Sequence, residues 1–192
     1  PLSFLINDED NTTPYGNRSL DIIVAPWPWV KLGTGKFRDD YLCSMFNGGN
    51  PEIEVTIHEH KSKKGIYMIE EMYGWPFLTE FFKGSQEEIE SQVKLTYTPV
   101  NITIDCSDPT KVVMPRQFTG IIDGDPAYGN YEIAMSTGGE GTLVNGVITF
   151  PQEALAFVCG AGSLKANKSG LFRILLPGAE LTDYTLSAVY DG

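Results

Sequence analysis

The most persistent pattern along this chain is an alternation of apolar and polar positions with a period of two. Ile53, Val55 and Ile57 alternate with Glu52, Glu54, Thr56 and His58, as a strand with one buried and one wet face requires. Val100, Ile102, Ile104 and Cys106 alternate with Asn101, Thr103 and Asp105, and Tyr131, Ile133 and Met135 with Glu132, Ala134 and Ser136. A further alternating run contains Tyr184, Leu186, Ala188 and Tyr190. Leu171 to Leu176 is more continuously apolar and predicts a strand buried on both faces.

Turn chemistry separates these runs at short intervals. Lys61-Ser-Lys-Lys-Gly65 divides the strand ending near Ile57 from one starting at Ile66, and Ser107-Asp-Pro-Thr110 follows the Val100 run. Asn145-Gly146, between Leu143-Val144 and Val147-Ile148, is the strongest short-range hairpin signal that a sequence offers. One helix is expected: Ser85-Gln-Glu-Glu88 has capping-box spacing, and Ile89 and Val93 give it a short apolar face. Gly33-Thr-Gly35 reads as a turn entering a strand or short helix. Ile53–Ile57 echoes Val100–Ile104, each leading toward a second apolar strand closing on Gly74 or Gly120, which suggests a repeated hairpin. The expected fold is all-β: an antiparallel β-sandwich, immunoglobulin-like or a related Greek key or meander, with one short helix near 85–94. Residues 1–25 are expected to form an N-terminal strand pair or linker, and 26–192 the sandwich module.

Composition narrows the function classes. The chain has 192 residues with 14 Lys+Arg against 25 Asp+Glu, a formal charge of −11. That balance argues against nucleic acid and against adhesion to an anionic membrane surface. Apolar residues at 42%, including 22 aromatics, exclude global disorder. No run approaches the 18 or so apolar residues of a membrane span. The first residues carry neither a basic n-region nor a small-residue cleavage site, so no signal peptide is expected there. Cys43, Cys106 and Cys159 fit no zinc or redox spacing. Cys106 continues an apolar face, so it reads as a reduced core thiol, with one disulfide plus a free thiol as the alternative.

Candidate chemistry is sparse. His58 and His60 project from one face of a strand, where with Glu54 they could share a metal ion; the competing reading is a wet strand face running into a lysine-rich turn. Asp123 and Asp125, with Asn130, could offer oxygen ligands to calcium, against the reading of a solvated turn. No cofactor is expected. Nucleophilic motifs, phosphate loops and a dinucleotide fingerprint are missing from the sequence. The aromatics Trp27, Trp29, Tyr73, Trp75, Phe77, Phe81 and Phe82 lie near Gly or Pro, outside strict alternation. Rings on loops can stack on the CH face of a sugar, and Trp27, Trp29, Tyr73 and Trp75 are the expected stacking platforms. The competing reading has them closing the ends of the sandwich.

Several strings taken together resemble one group of proteins. Trp29-Val-Lys-Leu-Gly-Thr-Gly-Lys-Phe-Arg-Asp-Asp-Tyr-Leu42, Gly65-Ile-Tyr-Met-Ile69 with Tyr73-Gly74, and Gly146-Val-Ile-Thr-Phe-Pro151 are similar to strings in uncharacterised secreted or lipid-anchored β-rich proteins of gut Bacteroidetes. The likeness covers roughly residues 27–178. It implies an exported all-β module of the periplasm or cell surface, lipid-anchored in its precursor and placed beside glycan-capture machinery. It implies no catalytic residues. The expectation is therefore a non-enzymatic extracytoplasmic module for adhesion or ligand binding, with a glycan or another surface protein as partner. The alternatives are a carboxylate- or metal-dependent hydrolase, and a structural spacer or pilus-like assembly module.

Overall fold

The computed structural model describes residues 26–39, 48–165 and 172–181. The expected 1–25 unit, the 184–190 strand and Cys43 lie outside the described residues. Within them the chain is all-β, as two antiparallel sheets packed face to face. The strands are β1 (Trp29–Asp39), β2 (Glu52–His60), β3 (Ile66–Glu70), β4 (Leu95–Tyr97), β5 (Asn101–Asp105), β6 (Gln117–Asp123), β7 (Asn130–Met135), β8 (Thr142–Val144), β9 (Val147–Phe150), β10 (Leu155–Cys159), β11 (Gly162–Lys165) and β12 (Phe172–Leu175). The larger sheet has the order β5-β3-β2-β1-β12-β9-β8, and the smaller β11-β10-β7-β6-β4.

The period-two runs take the faces that the alternation predicts. Ile53, Val55 and Ile57 on β2 and Ile102 and Ile104 on β5 point into the core, as do Tyr131 and Ile133 on β7. All four residues of β12 are buried, as its largely apolar run predicts, and Arg173 is buried with its apolar neighbours. Asn145 and Gly146 have φ of 50° and 78°, the paired positive values of a type I′ turn joining β8 to β9. Cys106 is a buried free thiol and Cys159 a half-buried free one. Burial in apolar surroundings pushes the Cys106 thiol up to about 12.

Four local readings are corrected. Gly33-Thr-Gly35 is no turn: it lies inside the 11-residue β1, where the register with β2 shifts between Lys31 and Gly33. Gly33 has φ of 143°, so it absorbs a β-bulge that a side chain would resist. The helix near 85–94 exists, with Ser85 accepting from the Glu88 N–H and Glu88 from the Ser85 N–H. After Glu88 it widens into a π-helical turn over Ile89–Val93, which keeps Ile89 buried but leaves Val93 exposed. A second helix, α1 (Trp75–Phe82), precedes the first, here α2 (Gln86–Glu88). The repeated hairpin is not reproduced: β2 and β3 pair within the larger sheet, whereas β5 and β6 belong to different sheets.

An aromatic cluster joins the sheets. Phe37 of β1 meets Tyr73 edge-on at 5.3 Å, Tyr73 meets Phe157 of β10 at 5.5 Å, and Phe77 of α1 lies 5.4 Å from both Phe37 and Tyr73. Such edge-to-face contacts add to plain apolar burial. The larger sheet also curls, because both its outer strands meet one segment. Val113 pairs with Asp105 at the end of β5, and Val112 pairs with Gly141 beside β8.

Candidate functional site

The bulge in β1 decides what the larger sheet shows to the outside. Before it, Trp29 and Lys31 face outward opposite His60 and His58; after it, Thr34, Lys36 and Arg38 do so opposite Thr56, Glu54 and Glu52. Without the extra residue, a fixed alternation would have sent one half of these polar side chains into the core. Phe37, between Lys36 and Arg38, is fully buried on the other face. Gly35 is fixed by close approach: a Cβ there would lie 2.2 Å from the Leu175 carbonyl oxygen and 2.4 Å from Ile57 Cδ1.

Cross-strand registers then line up two rows over the outer face. One runs Glu52, Arg38, Arg173, Thr149, Thr142 across β2, β1, β12, β9 and β8. The other, two residues along, runs Glu54, Lys36, Leu175, Val147, Val144 over the same five strands. At about 4.8 Å between strands each row spans about 19 Å. The first row is polar throughout. Arg173 donates to Glu52 at 2.5 Å, Arg38 donates to Asn50 at 2.8 Å, and the Thr142 and Thr149 hydroxyls meet at 3.2 Å. Lys36 Nζ reaches the other oxygen of Glu52 at 3.8 Å and is itself about half exposed. The second row becomes apolar beyond Lys36. Above it, residues 176–179 form the wall of a cleft of about 200 Å³, floored by Thr34, Gly35, Lys36, Glu54 and Leu175. The cleft lies along the second row rather than between the two; Leu175 and Val147 are buried there, so Thr34, Lys36, Glu54 and the partly exposed Leu176 and Ala179 are what it shows to a ligand.

The expected stacking residues do not come together. Trp29 is half-buried at the far end of the β1–β2 ribbon, edge-on to His60 at 5.1 Å, and Trp27 beside it is 58% exposed. Tyr73 is corrected outright: it is fully buried and donates to Asp39 at 2.8 Å, so neither ring face is open to a ligand. Trp75 begins α1 at the opposite end of the sheet, half-buried and edge-on to Tyr97 at 6.3 Å.

The expected metal positions are engaged otherwise. His58 is buried and its Nε2 contacts Glu70 at 2.6 Å, while the Nδ1 of His60 accepts from the Ser62 N–H. Asp123 and Asp125 accept from backbone N–H groups within their own turn, and Asp123 also accepts from the Tyr131 hydroxyl. Among the described residues, no group of three or more His, Cys, Asp or Glu is placed to hold a metal ion. The lysine-rich turn has a structural task. Lys64 and the Gly65 N–H both donate to Glu59, and the Lys64 bond is the larger cause holding that carboxyl below its usual range.

Sequence reading missed Lys36, Arg38, Thr142, Thr149 and Arg173. Alternation does flag Thr142, Thr149 and Arg173 as positions between apolar neighbours, but assembling them needs the strand order. No family model, curated protein or solved structure matches this chain.

Proposed function

We propose that this chain is a non-enzymatic extracytoplasmic module of the cell envelope, and that it holds a glycan on the outer face of its larger sheet. The observation that carries this reading is the pairing of the two rows. A pyranose presents hydroxyls at its rim and CH groups on its face. Glu52, Arg38, Thr149 and Thr142 offer donors and acceptors in a line, and the neighbouring cleft offers Lys36, Glu54 and the partly exposed Leu176 and Ala179. Charged side chains that already hydrogen-bond one another can exchange one of those bonds for a sugar hydroxyl at little cost. Trp29, half-buried against His60 some 27 Å along the ribbon at about 3.4 Å per residue, extends the same face as a platform for a longer chain. The cellular address comes from the likeness of sequence strings, which points to export.

Affinity electrophoresis in gels containing cell-wall and dietary polysaccharides tests the reading. Wild type is expected to be retarded by at least one of them. Thr149→Val and Trp29→Ala should each weaken that retardation severalfold without changing migration in a blank gel. Retardation by none, or retardation that both variants keep in full, would remove the proposal.

A further inference from the structure

We infer that the open end of the β1–β2 ribbon is a docking wedge, which enters the interface of an anionic lipid bilayer. The inference does not rest on the glycan reading. β1 begins at Trp29, yet its pairing with β12 begins only at Lys36. The first half of the strand therefore has β2 on one side and no described strand on the other. Here the apolar side chains are left uncovered: Trp27 is 58% exposed, Val30 48% and Leu32 43%. The other well-exposed large apolar residues of the described chain, Val93, Tyr128 and Val144, stand far apart in sequence, as scattered surface apolar residues normally do. Trp29 and Lys31 face outward, so alternation puts Val30 on the opposite face of the ribbon. Apolar groups on both faces make a wedge instead of a flat patch. A protein partner would need a matching cleft, whereas a fluid bilayer closes around both faces.

Charge complementarity selects the bilayer. Lys31, Lys61, Lys63 and Lys64 surround the wedge, all exposed. The Lys61 N–H donates to the Pro28 carbonyl at 2.8 Å, which places the lysine-rich turn beside Trp27. Lys64 is tied to Glu59, whose other oxygen accepts from the Gly65 N–H. Lys31, Lys61 and Lys63 have no carboxylate partner among the described residues. Asp105 and Asp108, across β3, are bonded within their own loop to Ser107 and Thr110. The net charge of −11 opposes adhesion by the molecule as a whole. Charges are screened over about 8 Å at physiological ionic strength, however, so the groups nearest the headgroups decide. Indole rings settle at the boundary of headgroups and hydrocarbon. Lysines beside them lay their stems along the apolar layer and put their ammonium groups among the lipid phosphates.

Co-sedimentation of the whole chain with vesicles of phosphatidylcholine alone, and of an equal mixture with phosphatidylglycerol, is the test. Binding to the mixed vesicles is expected to be at least tenfold tighter, with a blue shift of tryptophan emission that Trp27→Ala largely removes. Trp27→Ala and Leu32→Ser, both at exposed positions, should each weaken binding about tenfold, the effect of withholding one apolar side chain from the bilayer. Lys61→Gln and Lys63→Gln should each weaken it about fivefold, the conversion of about 1 kcal/mol for one basic residue near an anionic surface. Thr149→Val should bind the vesicles as wild type does. No binding to either vesicle, equal binding to both, or binding that Trp27→Ala and Leu32→Ser keep in full would overturn the wedge. A dimer that Leu32→Ser disperses, found by sedimentation velocity without vesicle binding, would assign this surface to a second copy and refute the lipid.

Discussion

Gly35 shows how one position can fix a whole face. Its Cα–H packs where a methyl group would run into the Leu175 carbonyl and Ile57, which brings β1 close to both β12 and the core. Gly35→Ala is expected to lower stability by about 1–3 kcal/mol in urea denaturation, because a backbone oxygen cannot turn aside as a side chain can. The requirement was invisible in sequence, where Gly33-Thr-Gly35 looks like a turn. A glycine demanded by close approach and one demanded by positive φ read alike until the neighbours are known. Cys106 was legible by contrast, since it continues the face of Ile102 and Ile104. Its pH dependence follows from burial. In the unfolded chain the thiol ionises near 9, and in the folded chain only near 12. Above about 9 the unfolded state therefore binds fewer protons, so this contribution is full below that pH and lost as pH rises toward 12. Urea midpoints recorded from pH 8 to 11 should fall, and fall less steeply in Cys106→Ala.

At the scale of elements, most strands were readable and the two helices only half so. The capping box at Ser85 gave one away. The Trp75–Phe82 helix is masked in sequence by the Gly and Pro residues that flank and enter it. Phe77 and Phe81 in fact lie four apart on one buried stripe, and Pro76 sits in the first turn where its missing N–H costs nothing. Pairing between sheets was beyond reach: the echo of Ile53–Ile57 in Val100–Ile104 is real in sequence, yet their partners diverge into different sheets. Edge management was equally hidden. On the free side of β5, Gln117 acts as a substitute peptide, accepting from the Thr103 N–H at 2.8 Å and donating to the Thr103 carbonyl at 2.8 Å. An open strand edge is a template for association. Gln117→Ala is expected to cost about 1–2 kcal/mol, with faster hydrogen exchange at Thr103 and more self-association at high concentration. Unchanged exchange at Thr103 would show that the carboxamide does not close this edge.

The whole molecule combines a dry aromatic centre with a large outer face that has kept its polar groups. The centre is over-determined: Phe37, Tyr73, Phe77 and Phe157 contact one another across both sheets and α1. It leaves no opening for Tyr73 to serve a ligand. The fold class followed from the alternation and turn chemistry alone, because each strand's own pattern carries it. The proposed binding row did not, because Glu52, Arg38, Arg173, Thr149 and Thr142 are scattered over nearly the whole described chain and meet only through the register of five strands. The expected stacking residues are separated by the fold: Trp29 packs against His60, Tyr73 lies in the core, and Trp75 packs against Tyr97. On the proposed reading, the binding face is thus a property of sheet order more than of any motif. The most direct measurement is a hydrogen-exchange footprint with a polysaccharide that retards the protein. Protection is expected over residues 34–38, 52–56, 142–149 and 173–175, with α1 and the Asp123 turn unaffected. Protection confined to the Trp75 end, or to the smaller sheet, would contradict the account.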